Sequence, residues 1–483
     1  MTAISMLIDG RAVAAANGAV FERRNPLDGS VATTAPAATP DDARAAVDAA
    51  ARAFPAWSAM GPGERRALLL KAAHALEAKA EAFAAAMARE TGASGLWAGF
   101  NVHLAAGMFT EAASLTTQID GQVIPSDVPG SLSMAVRQPA GVVLGIAPWN
   151  APVILGVRAV ATPLACGNTV VLKGSEISPA THGLIIEALQ EAGLPPGVVN
   201  FVTNAPQDAA AVVEAMVAHP AVRRVNFTGS TRVGKLIAQT CAAHLKQVVL
   251  ELGGKAPLIV LDDADIDAAV NGAAFGAFAN SGQICMSTER IVVDRKVADA
   301  FVARLADKAA SLPLGDPRQG PVVLGSVVDM ATVQRCNALI DDALAKGAKL
   351  VIGGRAGSTL MPATLIDHVT PDMRIYHEET FAPVKAIVRV DGEDEAVRVA
   401  NDNEFGLSAA VFGRDVARAM NVARRIESGI CHINGPTVHD EAQMPFGGVK
   451  GSGWGRFGGR AGIDAFTELR WITVQTTARH YPF

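Results

Sequence analysis

The sequence predicts an α/β protein with two parallel-sheet units, on two observations. Short β-branched runs alternate with amphipathic helical segments through most of the chain, the pattern of parallel strands joined by right-handed crossovers. Half of the 483 residues are hydrophobic and only 18% are charged, the excess being Ala, Val, Leu and Ile spread along the chain. A sheet covered by helices on both faces needs such residues in continuous runs.

Asp41 to Thr91 is Ala-rich with charges at helical spacing and predicts two helices, the first capped by Thr39 or Asp41. Thr117 to Arg137 (TQIDGQVIPSDVPGSLSMAVR) predicts a hairpin inserted before the first parallel strand. GVVLGIAP, NTVVLK, VVNFVT, RRVNFT and QVVLEL are the strands of the first unit, with SPATHGLIIEALQEAGL and TRVGKLIAQTCAAHLK as helices between them. After Glu251 a second alternating series begins: APLIVL, the helical AAVNGAAFGAFANSG, RIVVDR, the helical KVADAFVARLADKAASL, AKLVIG and AVFGR. The boundary between the units falls near Leu252. Leu469 to Thr476 (LRWITVQT) is a further β-rich run. A strand that ends a chain needs a partner, another subunit being one candidate, because exposed edges are a liability.

An uncharged run from Pro139 to Val157, 19 residues, is nominally long enough to span a bilayer. Pro148 and Pro152, with Gly141, Gly145 and Gly156, break it, so strand, loop and helix fit it and a membrane span does not. Forty-two basic residues against 47 acidic ones give a formal net charge of −5 with no basic stripe, which predicts neither nucleic-acid nor membrane partners. The amino terminus reaches Asp9 before an apolar core of signal-peptide length forms. Five cysteines, Cys166, Cys241, Cys285, Cys336 and Cys431, are few, odd in number and far apart, which predicts reduced thiols in a cytoplasm. No HExxH pair or Cys/His cluster is present, so no metal is expected.

Five features carry chemistry. In VNFTGSTRVGK, a strand runs through Gly229 and Ser230 into a helix, which is either a phosphate-binding turn or an ordinary strand–helix junction; the spacing is not GxGxxG. Lys173 and Glu176 follow an earlier strand, NTVVLK, where a carboxylate can accept from ribose hydroxyls or simply pair with the lysine. Cys285 lies in a polar Gly/Gln/Ser/Thr turn (NSGQICMSTER), unlike the other four cysteines, and is the strongest candidate for a reactive thiol. Glu251 ends a strand before Gly253 and Gly254, as a cleft base with a pKa raised by burial or as a structural cap. Asn150, in PWN on the loop of the uncharged run, is a polar side chain among apolar ones, so its amide is either hydrogen-bonded within the fold or used, one use being to hold a developing oxyanion.

In order along the chain, PWNAP, VLKGSE, FTGSTRVG, ELGGKAP, GQICMSTER, EETFAPV and PFGGVKGSGWGR resemble the NAD(P)-dependent aldehyde dehydrogenase superfamily. The resemblance covers essentially the whole chain, with ELGGK and GQIC its most specific pair. Within the superfamily it is closest to bacterial aromatic aldehyde dehydrogenases, the salicylaldehyde dehydrogenases above all, through WAGFNVHLAAGMF, APWNAPVILGVRAV, ICHINGPTVHDEAQMPFGG and FTELRWITVQT. It implies a Rossmann-type NAD-binding domain over residues 1–116 and 139–251, an α/β catalytic domain over 252–450, and a β bridging or oligomerisation element over 117–138 and 467–483, hence a homo-oligomer, a dimer or a tetramer.

The resemblance also implies roles. Cys285 attacks the aldehyde, Asn150 and the Cys285 backbone N–H hold the oxyanion, and Glu251 activates the water that hydrolyses the thioester. For NAD it implies Lys173, Ser175 and Glu176 at the adenosine ribose and Gly229, Ser230 and Val233 at the pyrophosphate. Glu379 and Phe381 serve the nicotinamide ribose and ring, and Ile146, Pro148, Trp149, Leu252 and Gly253 complete the cofactor wall. Glutamate at position 176 favours NAD over NADP.

Four positions depart from the family pattern. Gly174 replaces the usual proline, loosening the ribose loop, and Ala382 replaces glycine. Phe457 stands where some relatives have a second cleft glutamate. Arg158, about two helical turns beyond Asn150, replaces an aromatic residue of aliphatic-aldehyde relatives. Trp97, Arg158, Ile284, Met286 and Phe446 are therefore expected to form a pocket for an aromatic aldehyde, with Arg158 meeting a ring hydroxyl or phenolate, or pairing with an acid. Other aldehydes, vanillin among them, are alternatives. A CoA-acylating relative has little use for Glu251, a cysteine hydrolase needs a histidine beside Cys285, and an idle scaffold has no use for an intact Cys285, Glu251 and Asn150.

Overall fold

The computed structural model describes residues 2–483. An eight-stranded sheet has a parallel centre in the order Gln247–Glu251, Val222–Thr228, Val142–Ile146, Thr169–Lys173, Val199–Val202. All five come from the strands predicted for the first unit, and Val142–Ile146 and Thr169–Lys173 are buried along their whole length. Antiparallel edges are added by Gly453–Trp454 on one side and by Met6–Ile8 and Arg11–Val13 on the other.

A seven-stranded sheet holds the second series. Thr364–Asp367, Val384–Val390, Arg290–Asp294, Pro257–Val260, Ser408–Phe412 and Ile430–Ile433 run parallel, with Lys349–Ile352 antiparallel at the edge. The terminal β-run finds its partner within the chain. Thr467–Gln475 pairs with Ser131–Pro139 through nine residue pairs, and Ser131–Pro139 also pairs with Gln122–Ile124, so the predicted hairpin and the last strand form one three-stranded sheet.

Several details differ from the sequence reading. The early helical region is three helices, Pro40–Ala59, Pro62–Ala78 and Ala80–Glu90, because the chain leaves helical geometry at Lys79, whose ammonium reaches Glu191 at 2.7 Å. Thr39 is the cap of the first, in a reciprocal capping box with Asp42. The helix before Cys285 stops at Phe278; Asn280, Ser281 and Gly282 then take left-handed backbone angles, with φ of 48°, 54° and 73°. Among the described residues, no helix is long and apolar enough to cross a membrane, and no cluster of three His, Cys, Asp or Glu residues is arranged for a metal.

Candidate active site

Strand register places the first group of residues. Ile146 pairs with Lys173 on one side and with Phe227 on the other, and Thr228 pairs with Glu251. The carboxyl ends of these strands thus share one edge. Between Val142–Ile146 and Val222–Thr228 the chain passes from one side of the sheet to the other, the place where open α/β sheets bind ligands.

A cavity of about 620 Å³ opens there. Pro148, Trp149 and Asn150 form one wall, Gly229, Ser230, Glu251, Leu252 and Gly253 the next, and Cys285, Glu379 and Phe381 close it. The Trp149 and Phe381 rings meet edge to face at 5.8 Å. Gly229 has no room for a side chain, since a Cβ would lie 2.5 Å from the Phe227 ring, and its N–H donates to the Glu251 carbonyl at 3.0 Å. Ser230 Oγ accepts from the Val233 N–H at 3.4 Å, capping the Thr231–Ala243 helix, whose amino terminus faces the turn.

Lys173, Ser175 and Glu176 do not line this cavity. They follow the adjacent strand, Thr169–Lys173. The Lys173 ammonium is paired with Glu176 Oε1, which also accepts from Asn204 Nδ2 at 2.8 Å. Burial pushes the Glu176 carboxyl up, but Lys173 and Asn204 outweigh it and leave it below its ordinary value. Ser175 donates its N–H to His182 Nδ1 at 3.0 Å. Gly174 does not loosen this loop: its N–H donates to the Val202 carbonyl at 3.0 Å, and a Cβ there would stand 2.7 Å from the Phe201 ring. A proline has no N–H to give that bond.

A second cavity, of about 400 Å³, meets the first at Asn150 and Cys285, which line both. The predicted Trp97, Arg158, Ile284, Met286 and Phe446 all line it. Sequence reasoning missed Phe100, stacked on Trp97 with ring centroids 5.3 Å apart, and Asp440. Arg158 takes the pairing expectation: its guanidinium is bound to Asp440 and lies 4.1 Å from the Phe446 ring centre. Phe457 stays behind this wall, exchanging both backbone hydrogen bonds with Phe446 at 2.9 Å.

Electrostatics at the junction are set by burial. Glu251 is 1% exposed and both its carboxylate oxygens lack a hydrogen-bond partner in the protein. Burial pushes its carboxyl up to about 7, with Glu379 and Asp440 adding to the rise and Arg158 opposing it. The half-buried Cys285 thiol is raised well above its ordinary value, by burial first and by Glu251 second. Asn150 donates one amide hydrogen to the Gln283 carbonyl at 3.1 Å. An amide nitrogen carries two hydrogens, so this bond orients the group and leaves the other free.

Glu289, four residues after Cys285, was also missed. It is fully buried and accepts from Lys255 Nζ at 2.7 Å, Lys385 Nζ at 3.1 Å, the Thr380 N–H at 2.9 Å and the Phe381 N–H at 3.3 Å. Burial alone would raise it, but the two lysines bring it down to about 2. The bonds from the Thr380 and Phe381 N–H groups fasten the Glu379–Phe381 loop to the segment after Cys285, and the Gly254 N–H adds a bond to Glu379 Oε1 at 3.0 Å. The signal was legible as charges set inside apolar runs, in APVKAIV and TERIVV, which must be paired when buried.

Comparison with known proteins matches residues 13–472 to the aldehyde dehydrogenase family. The chain belongs to that family. Among its aldehyde dehydrogenase relatives, the vanillin dehydrogenase of Pseudomonas sp. (strain HR199 / DSM 7063) is 63% identical over 479 residues, 99% of each chain. The crystal structure of a salicylaldehyde dehydrogenase from Pseudomonas putida G7, complexed with salicylaldehyde, superposes with a TM-score of 0.98 at 53% identity over 100% of both chains. PnpE in complex with nicotinamide adenine dinucleotide superposes with a TM-score of 0.95 at 37% identity over 99% of both.

Proposed function

We propose that the chain is an NAD-dependent dehydrogenase that oxidises aromatic aldehydes to acids through a thioester on Cys285. The observation that carries this reading is the junction of the two cavities: Cys285 and Asn150 belong to both, and Glu251 lines the first beside them. The aromatic class rests on the aromatic and apolar lining of the second cavity and on relatives named for vanillin and salicylaldehyde.

The first cavity suits a dinucleotide. It offers a helix amino terminus for phosphate and aromatic rings beside the thiol, with a carboxylate acceptor in Glu176 and an ammonium donor in Lys173 nearby for ribose hydroxyls. Ser230 and Val233 in the first helical turn would hold the pyrophosphate, Glu379 the nicotinamide ribose and Phe381 the ring. Leu252, Gly253, Ile146, Pro148 and Trp149 would form the wall. When bound, NAD supplies the acceptor for the hydride that leaves the aldehyde carbon.

The chain's residues do the rest. Cys285 Sγ bonds to the carbonyl carbon as its proton passes to Glu251, whose pKa of about 7 allows it both to take and to release a proton near neutrality. Negative charge moves to the aldehyde oxygen, held by the free Asn150 amide hydrogen and the Cys285 N–H. Loss of hydride leaves a thioester. Glu251 releases the thiol's proton to solvent and takes one from water, the water oxygen bonds to the acyl carbon, and the C–S bond breaks to release the acid while Glu251 returns a proton to the sulfur.

Residues 1–116 with 139–251 form the cofactor domain and 252–450 the catalytic domain, in keeping with the two parallel sheets. Residues 117–138 with 467–483 form an element that joins protomers into a homo-oligomer, for which the exposed Val123, Leu469 and Trp471 supply apolar surface. Five unpaired cysteines suit a reducing cytoplasm. The test of function is the absorbance of reduced nicotinamide formed from NAD with benzaldehyde, vanillin and salicylaldehyde, with and without CoA. Turnover without CoA, abolished by Cys285→Ala, is expected; no turnover with any aldehyde would overturn the reading.

A further inference from the structure

Asp440 belongs to the wall of the second cavity, and its side chain is 6% exposed. One oxygen, Oδ2, is occupied by Arg158 Nη2. The other, Oδ1, is buried and receives no hydrogen bond from the protein. Arg158 has little left to offer a ligand besides its edge, because Phe446 covers its guanidinium at 4.1 Å and Phe457 lies at 5.8 Å.

An unsatisfied acceptor on a buried carboxylate is costly and persists where something else completes it. The same cavity holds Cys285, so a molecule whose aldehyde carbon reaches the thiol lies along the wall that carries Asp440. The groups around that oxygen are Arg158 on the Pro152–Ala165 helix, Glu251 at the end of its strand, the adjacent His439 and the backbone N–H of Glu441, which opposes the rise that burial gives the Asp440 carboxyl without meeting hydrogen-bond geometry at Oδ1. None of them donates to Oδ1.

We propose that Asp440 Oδ1 accepts a hydrogen bond from a ring hydroxyl of the substrate, and that Asp440 thereby selects ring-hydroxylated benzaldehydes over plain or O-methylated ones. Arg158 is then a positioning residue that fixes the carboxylate and leaves one oxygen free. The proposal rests on the aromatic aldehyde reading above. A site built to satisfy a substrate hydroxyl discriminates strongly against analogues without it, because the buried acceptor is otherwise left bare.

The test measures kcat/KM for 2-, 3- and 4-hydroxybenzaldehyde, their methyl ethers and benzaldehyde in the wild type and in Asp440→Asn. The ratio of the best hydroxybenzaldehyde to benzaldehyde is expected to fall about tenfold or more in the variant, the range of a hydrogen bond to a charged acceptor. An unchanged ratio would overturn the role of Asp440. The double variant Arg158→Met, Asp440→Leu removes both charges together and is expected to show the same loss. In the wild type, the hydroxyacetophenones cannot give up a hydride. The best of them is expected to compete at least tenfold more tightly than its methyl ether or acetophenone; equal competition would also overturn the proposal. Benzaldehyde turnover with no hydroxyl preference refutes Asp440 alone, whereas no turnover of any aldehyde refutes the parent reading.

Discussion

The indole N–H of Trp97 donates to the main-chain carbonyl of Asn150 at 2.9 Å, and Asn280 Nδ2 donates to the same oxygen at 3.0 Å. The wall of the ring cavity and the loop that carries the oxyanion donor are therefore one hydrogen-bonded piece. Trp97→Phe keeps an aromatic wall and deletes one donor. A neutral hydrogen bond contributes about 0.5–1.5 kcal/mol, so kcat should fall roughly threefold to tenfold. The fall should be similar for every aldehyde; a change confined to KM or to one substrate in steady-state assays would contradict this coupling.

Glu251 makes stability depend on pH. Its pKa rises from 4.5 to about 7 on folding, so the folded chain keeps a proton that the unfolded chain loses. That contribution is fully present below 4.5 and is lost as pH rises through about 7. Replacing Glu251 by Gln removes the loss. Denaturation curves of variant and wild type should converge near pH 4.5 and separate toward neutrality. The variant should be the more stable by roughly 3 kcal/mol above pH 7. Parallel curves at all pH values would mean that Glu251 is not buried and neutral at rest.

The same substitution removes the negative neighbour of Cys285. Alkylation of Cys285 by iodoacetamide as a function of pH should show a lower thiol pKa in Glu251→Gln. Burial still acts, so the value should remain above that of a free cysteine. A thiol that titrates at the same pH in both proteins would place Glu251 too far away to exchange a proton with it.

Glu176 is ionised and held by Lys173 and Asn204. A 2′-phosphate would meet this charge, and like charges brought together are costly. Glu176→Gln should raise kcat/KM for NADP tenfold or more while weakening the use of NAD. An unaltered cofactor ratio would remove Glu176 from the ribose site.

Restoring the common proline at Gly174 should harm the protein. Gly174→Pro deletes the N–H bond to Val202 and drives a ring into Phe201. A lower Tm and a raised KM for NAD are expected, measured by thermal melting and by cofactor titration; an unchanged Tm would show that the loop has room after all.

Legibility in the sequence followed the range of each interaction. Strands such as Val142–Ile146 and Thr169–Lys173 were plain because continuous burial writes a continuous apolar run. Cys285, Glu251 and Asn150 stood out as polar residues in apolar or turn contexts, and the structure brings them to one junction. The break at Lys79 and the left-handed turn at Asn280 and Ser281 depend on local angles that composition hides. The Arg158–Asp440 pair joins residues 282 positions apart, and no periodicity reports such a contact. The strands between Thr2 and Pro36 were missed because runs of two to six residues are too short to write a sustained pattern.

The central claim is that Cys285 carries the acyl group and Glu251 releases it. The most direct measurement mixes Glu251→Gln rapidly with NAD and benzaldehyde, follows reduced nicotinamide, and determines the intact and peptide masses after quenching. A burst approaching one equivalent per site is expected, then a stall, with a benzoyl group on the peptide that contains Cys285. Full steady turnover without a burst, or an acyl group on any other residue, would contradict it.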